Sequence, residues 1–288
     1  EITYNLMRTM VAAFAFLLPF SLVRQMLKDK LKTGRKWSLD LGGILAGMAV
    51  SMSGNFHYII YGIILRLLKI KTDYWFPSST RYIGFDPAVT GDETIHEFPS
   101  YSFVLGDLHA HVVNVMFVTF LVGMLYAWLK MIRKRGSEPE KQERSVFWLR
   151  QLLMPHILLA AVLLGMFQWT NYWDFVIYYT VTCGVILIMN IIGQEGKVKW
   201  ILAVTAAQAA EILILATLII LPFTMQFDSS NMVQGVALAQ HHSLPHQLLV
   251  LWGLPTILTA LFIISLLVEK LKVAENRSLY RLLKSVTL

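Results

Sequence analysis

Between Thr94 and His111 the chain sets His96, Glu97, Asp107, His109 and His111 in one short segment, directly ahead of a long apolar run. Ionisable side chains at such a boundary lose part of their hydration. They persist mainly where they pair, bind a cation or act on a substrate. Asp107, His109 and His111 are spaced by two, so an extended segment projects all three to one side, whereas a helix gathers only Asp107 and His111. Either geometry supplies part of a metal site (Mn, Mg or Zn) formed by Asp107, His109 and His111, with a hydrated position left open. Asp107 and Glu97 are the candidate catalytic carboxylates, able to take a proton from a hydroxyl. Glu97 precedes Phe98-Pro99, and the proline holds that carboxylate on a fixed loop. The plainer alternative makes Asp107 a helix cap and leaves the histidines at headgroup level.

Other polar residues on the same side of the chain could bind a substrate. Arg81 can grip a phosphate bidentately, or pair with Asp86 or Glu93. His96, Asn171, Asp174, His241 and His242 complete the candidate substrate-binding set, with Asp228, Asn231 and His246 near the last two. Glu211 sits inside an apolar run with Gln208 on the same face. An intramembrane carboxylate reads either as a transport pathway or as a neutral group bonded to a neighbouring helix.

These residues need a scaffold, and composition says which. The chain is 56% hydrophobic with a mean hydropathy of +0.57, and only 15% is charged. That composition belongs in a bilayer. The expected fold is an all-α integral membrane protein of about seven transmembrane helices, near 7–27, 39–55, 111–130, 151–169, 174–193, 200–222 and 248–268. In the second, Gly43, Gly47 and Ser51 recur every four residues, as a small-residue packing stripe would. An N-terminus outside and a C-terminus inside places 28–36, 130–150, 194–199 and 270–288 in the cytoplasm. With Arg24, these segments hold 20 of the 25 Lys and Arg. The net charge of +7 then describes a cytoplasmic face near anionic lipid and not a nucleic-acid surface.

On the outside, 56–110 forms one long loop that opens with an apolar stretch, 56–69, too short to span and suited to an interfacial or re-entrant helix. The second external loop is 223–247. Tyr74-Trp75-Phe76-Pro77 and Trp169 to Asp174 sit where aromatic belts form. The stretch from Arg133 to Arg144 is a solvated linker, and the lone Cys183 excludes both a disulfide framework and a cysteine zinc site. Without a signal ahead of its first helix, residues 1–288 read as a single transmembrane domain continuing a longer chain.

Trp75-Phe76-Pro77-Ser78-Ser79-Thr80-Arg81-Tyr82-Ile83, the His96-Glu97-Phe98-Pro99 and Gly106-Asp107-Leu108-His109-Ala110-His111 motifs, and Asn171-Tyr172-Trp173-Asp174 resemble the YYY family of multi-pass bacterial and archaeal membrane proteins. The resemblance covers most of the chain from Trp75 to Asp174. It implies kinship with the C-type membrane glycosyltransferases, which take sugar from a polyprenyl-phosphate donor and carry an acidic residue on an external loop. It also implies further helices ahead of Glu1, including the first external loop where those enzymes keep their acidic base.

The functional expectation is therefore a glycosyltransferase of the cell membrane with its active face extracellular. Its partners would be membrane lipids, a lipid-linked sugar donor, and an upstream half or other membrane subunits. Two other classes fit the residues: a transporter lined by Glu211 and Gln208, and an accessory or scaffold subunit whose external loops bind a partner. No nucleotide-binding glycine pattern is present.

Overall fold

The computed structural model describes residues 2–31, 35–72, 74–135, 150–193, 198–227, 238 and 241–273. Among them there is no β-strand. The helices are α1 (Ile2–Leu31), α2 (Lys36–Ser51), α3 (Tyr58–Leu67), α4 (Pro99–Leu105), α5 (Ala110–Arg135), α6 (Pro155–Thr170), α7 (Tyr172–Gly193), α8 (Val198–Thr224) and α9 (Pro245–Val273). Contacts divide the chain into two compact units. One comprises Glu1–Ser53 with Phe98–Val236, the other Gly54–Glu97 with Ala237–Leu288.

Each of the seven expected apolar segments contains a helix, but five of the helices, α1, α5, α7, α8 and α9, are long and apolar enough to cross a membrane. The other two, α2 and α6, have 16 residues each. At 1.5 Å per residue such a helix covers about 24 Å, short of a hydrocarbon core of about 30 Å. For α6 the shortening has a local cause. Pro155 occupies the first helical turn and Met154 before it is extended, at φ −66° and ψ 129°. Proline disfavours helical geometry in the residue it follows, so the expected start near 151 moves to Pro155.

In the first unit α6 is the central element. Ile157, Ala160, Leu164 and Phe167 are fully buried against Leu121, Leu125 and Trp128 of α5, Ile186 of α7 and Ile212 of α8. Gly165 lets α8 approach closely, since a Cβ there would lie 3.0 Å from the Ala216 carbonyl oxygen. The small-residue stripe of α2 behaves as its spacing implies: Leu39, Gly43, Gly47 and Ser51 are its buried residues. A Cβ on Gly43 would meet the Phe20 carbonyl oxygen at 2.9 Å, and one on Gly47 the Phe16 carbonyl oxygen at 2.8 Å, so α1 and α2 pack backbone to backbone. Polar links tie the same bundle. Arg24 donates to Asp40 at 2.6 Å, and Lys130 donates to both Asp29 oxygens at 2.8 and 2.7 Å.

The second unit is built on α3 and α9. Helix α3 begins as a π-helix over Tyr58–Ile64 and ends as a turn of α-helix, where an interfacial or re-entrant apolar helix was expected. A loop returns over it: Asn55 Nδ2 donates to the Ser79 carbonyl at 2.6 Å, Phe56 N to that of Val250 at 2.8 Å, and Gln247 Nε2 to that of Asp86 at 2.9 Å. Gly84 takes φ +77° against the backbone of Asp92 and Glu93, a turn that has no room for a side chain.

Candidate functional site

The site residues fall into separate clusters within the two units. In the first unit, α4 starts at Pro99 and stops at Gly106, whose φ of 73° is the left-handed terminus that glycine favours. The chain then runs non-helically through Asp107, Leu108 and His109 before α5 begins at Ala110. In this short connection Asp107 Oδ2 and His109 Nε2 lie 3.0 Å apart, with both side chains about half exposed, 52% and 44%. The other carboxylate oxygen accepts from the Tyr4 hydroxyl at 3.2 Å, and the same hydroxyl accepts from Leu108 N at 3.0 Å. Arg8 donates to the Gly106 carbonyl at 3.1 Å. The start of α1 thus clamps the turn that carries Asp107.

Neither expected geometry of the triplet is the observed one. Asp107 pairs with His109 because both precede the helix, while His111 lies in its first turn and stacks on His109 with ring centroids 5.8 Å apart. Asp107 does not cap α5 either, since its carboxylate bonds to Tyr4 and His109. Among the described residues no group of three His, Cys, Asp or Glu side chains is drawn together as a metal would require.

Asn171 and Asp174 meet in the same unit, at the junction of α6 and α7. Asp174 Oδ2 accepts from Asn171 Nδ2 at 3.1 Å and from Asn114 Nδ2 at 2.8 Å, while Asn114 Oδ1 accepts from the Thr170 hydroxyl at 2.6 Å. Asn114 is fully buried, so this network joins α5, α6 and α7 through one carboxylate. Replacing Asn114 by Leu removes a charge-assisted bond and leaves Asp174 short of a donor. We expect a loss of about 2 kcal/mol, read as a lower melting temperature in detergent beside an unchanged Asn5→Leu control.

Deeper in the unit, Asn190 Nδ2 donates to Gln208 Oε1 at 2.9 Å, and Gln208 Nε2 reaches Gln151 Oε1 at 3.3 Å. Glu211 Oε2, one turn along α8, is buried without a hydrogen-bond partner among the described residues.

The second unit holds Arg81, His96, Glu97, His241 and His242. His241 and His242 are exposed, just before α9; Asp228 and Asn231 lie outside the described residues. Glu97 is two residues ahead of the α4 proline. His96 is half-buried, with Nε2 2.7 Å from the Thr94 hydroxyl and its backbone N donating to the Thr80 carbonyl at 2.8 Å. Arg81 lines a cavity of about 390 Å³ together with Lys71, Asp86, His57, Tyr61, Tyr74 and Tyr82. His57 is 5% exposed, stacks on Tyr61 at 4.5 Å and meets Tyr82 edge-on at 5.3 Å; the Tyr61 and Tyr82 hydroxyls are 2.5 Å apart. Burial pushes the Tyr82 phenol well up, and the Tyr61 hydroxyl adds to the effect.

Burial also holds the His57 and His96 imidazoles below the ordinary 6.5, although Asp86 partly opposes this at His57. In the unfolded chain both histidines bind protons as pH falls through about 6.5, whereas in the folded unit they stay neutral to lower pH. The unfolded state therefore takes up more protons, and stability present in full above that pH declines below it. Hydrogen exchange of segments 54–72 and 74–97 should be faster, after correction for intrinsic rates, at about pH 5.5 than at about pH 7.5.

Sequence reasoning missed Tyr4, Arg8, Asn114 and the aromatic wall of the cavity. Asn114 alone carried a signal, a polar residue inside an apolar helix. The chain belongs to the family described as uncharacterized membrane protein (DUF2298), which it matches over residues 1–288. Comparison with curated proteins and with solved structures gives no match. Membership makes this a multi-pass membrane protein and brings no reaction with it.

Proposed function

We propose that the protein is a membrane glycosyltransferase that moves a sugar from a polyprenyl-phosphate donor to an acceptor hydroxyl at the external face of the cell membrane. The observation that carries this reading is the Asp107–His109 pair, held on a clamped turn between two helices and open to solvent. A carboxylate that accepts Nε2–H fixes the tautomer of the ring and leaves the lone pair on Nδ1. The acceptor hydroxyl then gives its proton to His109, and the resulting imidazolium is stabilised by Asp107. The acceptor oxygen forms a bond to the anomeric carbon as the bond from that carbon to the phosphate oxygen breaks, and the electron pair leaves with the phosphate. Charge placement along the sequence supports the external location, since cations concentrate in the segments assigned to the other side.

The test supplies labelled polyprenyl-phosphate hexose and a hydroxyl acceptor to the full chain in sealed proteoliposomes. Labelled glycoside should form when donor and acceptor are on the side that bears Asp107, and folded protein that makes none would end the enzyme reading. A transport reading draws on one specific observation, the buried Glu211 oxygen beside the Asn190–Gln208–Gln151 ladder. Glu211→Gln should leave transfer unchanged under the first reading and stop flux under the second.

A further inference from the structure

We propose that the cavity of the second unit binds a phosphorylated polyol, with Arg81 and Lys71 receiving the phosphate, the tyrosine rings facing the carbon skeleton, and Asp86 accepting its hydroxyls. The ligand is either a free sugar phosphate or the same group carried as a lipid headgroup.

The lining residues supply three kinds of chemistry. Among the described lining residues Arg81 and Lys71 bring two positive charges and Asp86 one carboxylate, a balance that favours an anion. Guanidinium and ammonium groups together suit phosphate, one as a planar fork and the other as a point charge. Tyr61, Tyr74 and Tyr82 surround His57 with ring centroids 4.5, 5.6 and 5.3 Å from it, which makes a continuous aromatic wall. A bare inorganic ion would leave that wall unused, and a neutral sugar would leave both cations unused. A volume of about 390 Å³ lies within the range of about 300–1,000 Å³ typical of small-molecule sites.

Two further observations point to a ligand. His57 Nδ1 is buried with no hydrogen-bond partner among the described residues, on a side chain that forms part of the cavity. An unsatisfied buried group is costly and is tolerated mainly at sites with a use. Tyr61 of the wall also stands on a π-helix, a widened geometry common at functional sites. His57, Tyr61 and Leu65, four residues apart, line the cavity, while Ile59, Ile63, Ile64 and Leu67 are exposed. That apolar exterior suits α3 to the level where acyl chains meet headgroups, and Arg66 and Lys69 near its end add charge.

The experiment uses the full chain in phosphatidylcholine nanodiscs. Hexose 6-phosphate, the neutral hexose and inorganic phosphate are titrated calorimetrically, and a parallel preparation contains phosphatidylinositol. Variants are Arg81→Ala and Lys71→Ala, the latter on an exposed side chain that can be removed without disturbing the fold. Hexose 6-phosphate should bind the native chain at least tenfold more tightly than either variant and more tightly than the neutral hexose or phosphate alone. If the free sugar phosphate does not bind but phosphatidylinositol raises the melting temperature of the native chain and not of Lys71→Ala, the ligand is the lipid form. The proposal is overturned if neither form distinguishes native chain from variants, or if the neutral hexose binds equally well. Binding is read without turnover, so its failure leaves the transfer reading of Asp107 and His109 standing.

Discussion

Asp107→Asn should reduce transfer of sugar from a polyprenyl-phosphate donor by about 10²–10⁴-fold, the contribution typical of a positioned acid–base group. The change keeps the shape of the side chain and the Tyr4 contact, but the amide no longer stabilises an imidazolium. Both partners are half exposed, so the pair contributes little to stability and the melting temperature should hardly move. Lost activity with retained folding separates a chemical role from a structural one.

The second large effect concerns the scaffold. Gly47→Leu should destabilise the first unit by about 3 kcal/mol, at the upper end of what overpacking costs. A Cβ at this position meets the Phe16 ring and the Phe16 carbonyl oxygen, each at 2.8 Å. The ring can turn aside, whereas the carbonyl belongs to the α1 backbone and yields only if the helices separate. Gly123→Leu is the control, because its Cβ would meet nothing within 4 Å. Differential melting in one detergent should show a large drop for the first variant and almost none for the second. Because α1 also carries Tyr4 and Arg8, separation of α1 from α2 should lower transfer activity too.

Much of the helical framework was legible because bilayer burial leaves a direct imprint: long apolar runs, and glycine every fourth residue where two backbones touch. Local detail was less legible. Pro155 marked the start of α6, yet the apolar run ahead of it masked that boundary. Spacing alone offered an extended or a helical arrangement for Asp107, His109 and His111; the observed chain follows neither throughout, and the change to helix at Ala110 decides which groups meet. Tyr4 and Asp107 are separated by 103 positions, and Asn114 and Asp174 by 60. Such contacts depend on how helices pack and no local pattern encodes them. The cavity was hidden for the same reason. Arg81 stood out as an external cation, but the wall it shares with Tyr61 and Tyr82 exists only once the loop has folded back over α3.

The central question is whether Asp107 and His109 act as one unit. A double-mutant cycle on the transfer rate, with Asp107→Asn, His109→Gln and the pair together, answers it directly. Each single change and the double change should fall to the same low rate. Losses that multiply, or native rates in any of the three folded variants, would contradict this.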